Sequence, residues 1–227
     1  MKTRLETDWE LPIIQRKNKK KLLKRNNFMS KIDLTKKYKE YYTAKITPQL
    51  VEFGESNFIT IEGKGEPAGK LFTQAVEALY PLAYGIKNLS KKAGNDFAVA
   101  KLEGLWWVDS DKPALEVPRD EWRWKLLIRL PDFISSEIVA KAKEEVIKKK
   151  KVELVNEIKF TKITEGKCVQ IIHIGPYAAE PETIADMKNF IKENNLFENG
   201  PHHEIYLSDP RKTPPQKMKT ILRQPVR

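Results

Sequence analysis

The order of strands and helices that the sequence predicts runs through the chain twice. Each half reads as two strands, a helix and two strands, from alternation of period two and an apolar stripe of helical period. The first half has a hairpin at 50–61 with its turn at 54–57, a helix at 70–92 and strands at 97–108 and 122–130; the second half has strands at 158–163 and 167–174, a helix at 183–195 and strands at 202–208 and 217–223. A shift of 110 positions places Gly175 on Gly65 and Thr183 on Thr73, which indicates an internal duplication.

This duplication predicts an α+β domain made of two modules related by a pseudo-twofold axis. Each module would put a helix on one face of an antiparallel sheet, and the cleft between the modules is the default ligand site. We place the domain at residues 29–227, with the first repeat at about 48–134, a linking helix at about 135–151 and the second repeat at about 157–227.

The net charge of +11 suggests a polyanionic partner, but the basic residues are unevenly distributed. Residues 1–28 hold nine lysines and arginines against three acids, and the basic run from Arg16 to Arg25 has no interleaved aromatic residue. We expect this segment to be a basic, disordered extension, upstream of a possible natural start at Met29. Binding to nucleic acid through it would be sequence-independent and steeply dependent on salt.

Several other classes of protein are excluded by simple counts. The chain contains no apolar stretch long enough to span a bilayer and no apolar core of a signal peptide, so we expect a cytoplasmic protein without a membrane partner. Its single cysteine, Cys168, cannot form an intramolecular disulfide. With three histidines and no cluster at metal-ligand spacing, we expect no metal and no cofactor.

Candidate catalytic residues lie on the short strand that begins at His202. The period of a strand puts His202, Glu204 and Tyr206 on one face and His203 on the other. A carboxylate two residues from a phenol can orient a water or meet a cationic ligand if that face lines a cleft. The alternative is a solvent-facing acid on an edge strand.

Aromatic residues form the second candidate group. They are Trp106, Trp107, Trp122 and Trp124, with Tyr80 and Tyr84 four positions apart on the long helix. Such rings stack on planar ligands and attract cations, although core packing is an equally ordinary use. Since Trp106 and Trp107 must point to opposite faces of a strand, one of them at most lines the cleft, and we choose Trp107 because it shares the parity of Glu103.

Four segments together resemble a known family. They are Val169-Gln-Ile-Ile-His-Ile-Gly-Pro-Tyr177 and His202-His-Glu-Ile-Tyr-Leu-Ser-Asp-Pro210 in the second half, and Ile59-Thr-Ile-Glu-Gly-Lys-Gly-Glu-Pro67 and Leu102-Glu-Gly-Leu-Trp-Trp107 in the first. The second half resembles the GyrI-like (gyrase-inhibitor-like) small-molecule-binding domain, and the first half is similar to a stand-alone subgroup of that family. The resemblance implies a duplicated strand-helix-strand-strand module with a ligand cleft at the pseudo-twofold axis.

The resemblance also implies a function. Many relatives carry a helix-turn-helix domain and act as drug sensors; no such pattern precedes the module here, so we expect no specific nucleic-acid partner. Stand-alone relatives are hydrolases that open the cyclopropane of DNA-alkylating natural products. The position matching the family acid is Glu204 and the matching phenol is Tyr206, while Tyr177 belongs to the expected ligand-binding set. Aligning Leu102-Glu103 with His203-Glu204 makes Glu103 the pseudo-symmetric counterpart of Glu204.

Two functions therefore remain open at this stage. In the first, Glu204 is the base and Tyr206 orients or donates in a metal-independent hydrolysis, with Trp107, Trp124 and Tyr84 as aromatic walls. In the second, the chain is a non-catalytic module that binds or sequesters planar or cationic aromatic compounds, with Glu204 as a counter-charge. The partner is a hydrophobic aromatic small molecule in both cases. The oligomeric state is open, and a monomer is among the states that the sequence allows.

Overall fold

The computed structural model describes residues 31–67 and 69–227. The predicted basic extension at 1–28, and with it Met29, lies outside the described residues. In the described part, the secondary structure in chain order is α1 (Leu34–Lys37), β1 (Gln49–Lys64), α2 (Lys70–Lys92), β2 (Leu102–Trp107), β3 (Arg123–Leu130), α3 (Ser136–Lys150), β4 (Lys159–Ile174), α4 (Glu180–Glu193), β5 (His202–Tyr206) and β6 (Lys219–Pro225).

The six strands close into an antiparallel barrel in the order β1-β3-β2-β5-β6-β4. The duplication is confirmed as strand-helix-strand-strand, since β1, α2, β2 and β3 are followed by the equivalent β4, α4, β5 and β6. Strand β4 and helix α4 begin 110 residues after β1 and α2. Helix α3 lies between the two repeats.

The predicted turn at 54–57 and the predicted break around Gly166 are both wrong. Residues 49–64 and 159–174 are each one continuous strand of 16 residues. Each strand is long because it is shared: β1 pairs with β4 from Gln49 to Thr60 and with β3 from Asn57 to Lys64. Glycine in the middle of such a strand marks a bend instead of a reversal, and Gly166 has a φ of +70°.

Alternate residues of each strand face either the helices or the inside of the barrel. Phe72 of α2 contacts the rings of Trp106 and Trp124, and these residues define the outer face of β2 and β3. In the second repeat, Met187 and Ile191 of α4 pack on outer-face residues of β4 and β6. The interior of a six-stranded barrel is too narrow to hold a helix, so both helices cover the outside. The expected arrangement of helices on one face of an antiparallel sheet is therefore confirmed.

None of the helices in the described ranges combines the length and the hydropathy needed to cross a membrane.

Candidate functional site

Glu204 lies at the centre of the outer face, between the two covering helices. Strand β5 is flanked by β2 and β6, so Glu204 is not on an edge strand. Its register partner on β2 is Gly104, and its side chain is 15% exposed. His202 Nε2, also on this face, lies 3.8 Å from Glu204 Oε1. The predicted alternation along β5 is confirmed, since His203 is buried on the inner face.

A chain of donors ends at the Glu204 carboxylate. Trp106 Nε1 donates to the Tyr206 hydroxyl over 3.1 Å, and that hydroxyl is hydrogen-bonded to Glu204. Because the indole can only donate, the Tyr206 hydroxyl proton is free to point toward Glu204. Burial and the nearby Glu204 charge raise the pKa of Tyr206 well above its usual value, so it acts as a phenol. Tyr206 therefore stabilises the ionised form of Glu204.

Gly104 is required at the point where Trp106 and Tyr206 meet. A Cβ at this position would lie 2.9 Å from Trp106 Nε1 and 2.9 Å from the Tyr206 hydroxyl oxygen. Both distances are too short for a carbon, so the hydrogen bond between the two side chains depends on glycine. Gly104 also faces Glu204 across the strand pair.

Glu180, which the sequence reasoning missed, is a second acid at this site. It is the first residue of α4 and is 7% exposed, and its Oε1 has no hydrogen-bond partner among the described residues. Burial and then repulsion from Glu204 raise the pKa of Glu180 to about 8, opposed by a hydrogen bond from Thr220. Glu180 is therefore the more readily protonated acid of the two.

Glu204 and Glu180 are two buried acids whose pKa values are both raised into the neutral range. Burial raises the pKa of Glu204 to about 7, while the Tyr206 hydroxyl and the charge of His203 lower it. Two carboxylates in one desolvated site cannot both ionise cheaply. Since Tyr206 donates to Glu204, the proton resides preferentially on Glu180.

Aromatic rings line the space around this pair. Phe72 stacks on Trp106 with ring centroids 5.7 Å apart, and Trp122 meets Trp106 edge-on at 6.1 Å. On the α4 side, Tyr177 packs edge-on against Tyr206 at 6.0 Å and is 41% exposed. The carboxylate pair therefore lies between an aromatic wall on α2 and β2 and a second wall formed by tyrosines.

Three of the predicted site residues lie elsewhere, and the choice of Trp107 is wrong. Trp107 pairs with Arg123 and is one of the alternate β2 residues that face the inside of the barrel. Its neighbour Trp106 faces outward and is hydrogen-bonded to Tyr206. Trp124 is fully buried beneath α2, against Gly63. Glu103 also faces the interior, so it is not the counterpart of Glu204; Gly104 occupies that position.

The two tyrosines of α2 lie at the rim. The charges of Asp209 and Arg211, in the loop after β5, act on Tyr80, whose pKa is raised mainly by burial. Tyr84, one turn further along, is 52% exposed. Among the residues that the structure describes, no group of three or more histidine, cysteine and carboxylate side chains is placed to hold a metal ion.

Two cavities lie away from Glu204. One of about 140 Å³ lies beneath α2, beside Trp124 and Leu71. The other, of about 220 Å³, lies on the inner side of the barrel and is lined in part by Tyr41, Glu165 and His203.

One family model, that of the GyrI-like small molecule binding domain, matches residues 46–227. The chain belongs to the GyrI-like family. The match covers both repeats and every residue placed around Glu204. In this GyrI-like domain Glu204 lies where β2 and β5 pair, at the junction of the two repeats.

Solved structures of stand-alone proteins are similar to this GyrI-like chain. An uncharacterized conserved protein from Listeria innocua is 41% identical, with a TM-score of 0.82, covering 87% of this chain and 100% of the other. A hydrolase from Listeria innocua is also 41% identical, with a TM-score of 0.77 and the same coverage. No curated protein matches the chain.

A more distant structure shares the fold alone. The EcmrR C-terminal domain is 13% identical, with a TM-score of 0.52, and the match covers 80% of this chain and 97% of that domain.

Proposed function

We propose that this GyrI-like protein binds planar, hydrophobic or cationic aromatic small molecules in the cleft over Glu204, and that it hydrolyses cyclopropanoid genotoxins there by adding water. Such an activity would remove DNA-alkylating compounds. The observation that carries the proposal is the presence of two buried acids, Glu180 and Glu204, with the Tyr206 phenol at Glu204. The similarity to a hydrolase from Listeria innocua supports it.

The ionised Glu204 is the base in this reaction. A water hydrogen-bonded to Glu204 attacks a carbon of the cyclopropane, forming a carbon–oxygen bond while Glu204 takes a proton from the water. A general base works best when its pKa lies near the working pH, and burial brings the pKa of Glu204 to about 7. Tyr206 holds the carboxylate in place through its hydroxyl.

The protonated Glu180 is the acid. As the strained carbon–carbon bond breaks, its electron pair moves into the conjugated carbonyl system and charge develops on that oxygen. Glu180 supplies the proton that this oxygen takes up, so the sum of the steps is addition of one water to the substrate. Glu180 Oε1 lacks a partner in the described residues, so it is available to a ligand.

The aromatic walls account for binding of a planar compound. Phe72 and Trp106 offer a stacked surface on one side, and Tyr177 contributes a half-exposed ring on the other. A pair of acids that shares one proton carries a single negative charge, which favours cationic ligands or an electron-poor ring. Ring stacking then selects planar ligands, and the negative charge selects cationic or electron-poor ones.

The test is turnover of a duocarmycin-like cyclopropanoid in water labelled with heavy oxygen, analysed by mass spectrometry. We expect a product that has gained one labelled water. Glu204→Gln abolishes product, and Glu180→Gln slows its formation and removes the alkaline limb of the pH profile, because amides cannot exchange the proton. Glu182→Gln is the matched control, since Glu182 is exposed two residues further along the same helix.

Binding of the compound without turnover is the outcome that would contradict the hydrolase. Quenching of tryptophan fluorescence by the compound, with product formed no faster than in buffer, would refute the hydrolase for this substrate class. That result would favour the non-catalytic binding module, in which Glu204 is only a counter-charge.

A further inference from the structure

A cluster of buried charges lies directly behind Glu204, on the inner face of the barrel. His203 Nδ1 lies 2.5 Å from Glu165 Oε1, and His203 Nε2 lies 3.1 Å from Glu103 Oε2. Arg223 Nη1 donates to Glu165 Oε2 over 2.7 Å. The reaction proposed above makes no use of these four side chains, although each comes from a different strand of the barrel.

The contacts of His203 fit an imidazolium, in which both ring nitrogens donate. A carboxylate only accepts hydrogen bonds, so each ring nitrogen within hydrogen-bond distance of one must carry a proton. Glu103 already accepts a bond from the Tyr41 hydroxyl over 2.6 Å, as expected for an acceptor. Interaction with Glu165 and Glu103 overcomes burial and raises the pKa of His203 to about 9, in agreement with the contacts.

The cluster is neutral as a whole and is tied to several elements. Two carboxylates balance the imidazolium and the Arg223 guanidinium, which makes burial tolerable. Arg223 also bonds to Gln170 on β4 and to the backbone oxygen of Tyr41. Each donor of the His203 ring has a partner from a different strand, so the ring and the β5 backbone have little freedom to move.

Glu165 reaches this cluster because β4 departs from strict alternation. Gln170, which accepts from Arg223, faces inward, and alternation from it would place Glu165 on the opposite face. Gly166 at a φ of +70° changes the direction of the chain and lets Glu165 turn inward. The bend at Gly166 therefore serves this cluster.

We propose that His203 is a positioning residue for the cleft: clamped between Glu103 and Glu165, it fixes β5 and holds a constant positive charge behind Glu204 that keeps this acid available as a base. Successive residues of a strand lie on opposite faces, so the charge acts through one strand without entering the ligand space. This inference deepens the proposed function and rests on Glu204 acting there as the base.

Titratable and charged groups from several strands and from α4 surround His203 and Glu204. His203 meets Glu103 from β2, Glu165 from β4 and Arg223 from β6, with the Tyr41 ring 6.5 Å away. Glu204 meets Tyr206 and His202 from its own strand and Glu180 from α4. Burial and the His203 charge lower the pKa of His202 to about 4, so His202 stays neutral.

The first test is an NMR titration of the full chain, labelled on histidine ring nitrogens and glutamate carboxyl carbons. We expect both ring nitrogens of His203 to stay protonated up to about pH 8. Glu204 is assigned from the loss of its signal in Glu204→Gln. A neutral His203 at pH 7 would overturn the proposal, whatever the protein does to a cyclopropanoid. Since the signals require no turnover, failure of the hydrolase and failure of this inference are distinguishable.

The second test measures the effect of His203→Gln on Glu204. We expect the Glu204 titration, and the acidic limb of the turnover profile, to move up by about one pH unit, as for unit charges roughly 10 Å apart at an effective dielectric constant of about 20. If loss of the cation prevents folding, Glu103→Gln with His203→Gln removes the uncompensated acid, and a smaller upward shift is expected. Ile205→Val, a buried inner-face change on the same strand, should leave the titration unchanged. An unshifted Glu204 in a folded His203 variant would refute the proposal.

Discussion

Glu180→Gln should stabilise the protein, increasingly so as pH rises. The pKa of Glu180 is raised from 4.5 to about 8 in the folded state. The folded state therefore holds a proton that the unfolded chain releases, and the free energy of unfolding falls as pH rises from about 4.5 to about 8. One proton corresponds to about 1.4 kcal/mol per pH unit, so Glu180 costs up to about 3 kcal/mol at pH 7.

Glutamine resembles the protonated acid in shape and can keep the hydrogen bond from Thr220, but it does not titrate. At pH 4.5 the variant and the wild type should have similar stability, and by pH 8 the variant should be more stable by a few kcal/mol, an order-of-magnitude value. For a domain of this size each kcal/mol corresponds to roughly 2–4 °C in Tm.

The assay is urea denaturation at a series of pH values, comparing the wild type with Glu180→Gln and with the exposed control Glu182→Gln. The difference between variant and wild type reports on Glu180 together with the acid it is coupled to, Glu204, since the other titrating groups are common to both chains. A difference that stays constant from about pH 5 to pH 8, or a variant that is less stable throughout, would show that Glu180 is not held protonated.

Three further predictions concern the cleft and the bend behind it. Gly104→Ala should cost only about 1 kcal/mol in stability but weaken aromatic ligand binding and turnover about tenfold, because its Cβ would displace the Tyr206 hydroxyl; unchanged kcat/KM would contradict this. Trp106→Phe should lower ligand affinity in a fluorescence titration, whereas Trp107→Phe should not, and equal losses would contradict the assignment of faces. Gly166→Ala should cost about 1 kcal/mol or more in thermal unfolding, through the backbone alone, since nothing lies within 4 Å of the added carbon; an unchanged Tm would be inconsistent with a φ of +70°.

The repeat and the parity of β5 could be predicted from the sequence because both depend on local patterns. Helix α2 has the bounds that its apolar stripe indicates, and the two halves are displaced by the expected 110 residues. The sequence at 54–57 could not distinguish a hairpin turn from a bend within one strand, because glycine and polar residues are common in both. Only closure of the barrel, which gives β1 two pairing partners along its length, makes a 16-residue strand favourable.

The misplacement of Trp107 has a different cause. The sequence of one strand shows which of its residues share a face. Which residues of two neighbouring strands share a face depends on the pairing register, and a shift of one residue exchanges the faces. The alignment of Glu103 with Glu204 is off by one residue in this way, because the structure places Gly104 opposite Glu204. Glu180 was missed because a glutamate in the first turn of a helix is ordinary in sequence, and only tertiary packing buries it beside another acid.

The closed barrel explains how a five-residue strand can carry His202, His203 and Glu204 in succession. Each of these side chains is almost buried, and each would be hydrated at the edge of an open sheet. With β2 and β6 on either side, water is limited on both faces of β5, so charge on either face depends on its protein partners. On the inner face two carboxylates pair with the His203 imidazolium and the Arg223 guanidinium, whereas on the outer face Glu204 is left with a phenol and a second acid. Because no cation on the outer face pairs with Glu204 among the described residues, its carboxylate is free to bind a cationic ligand or to activate a water.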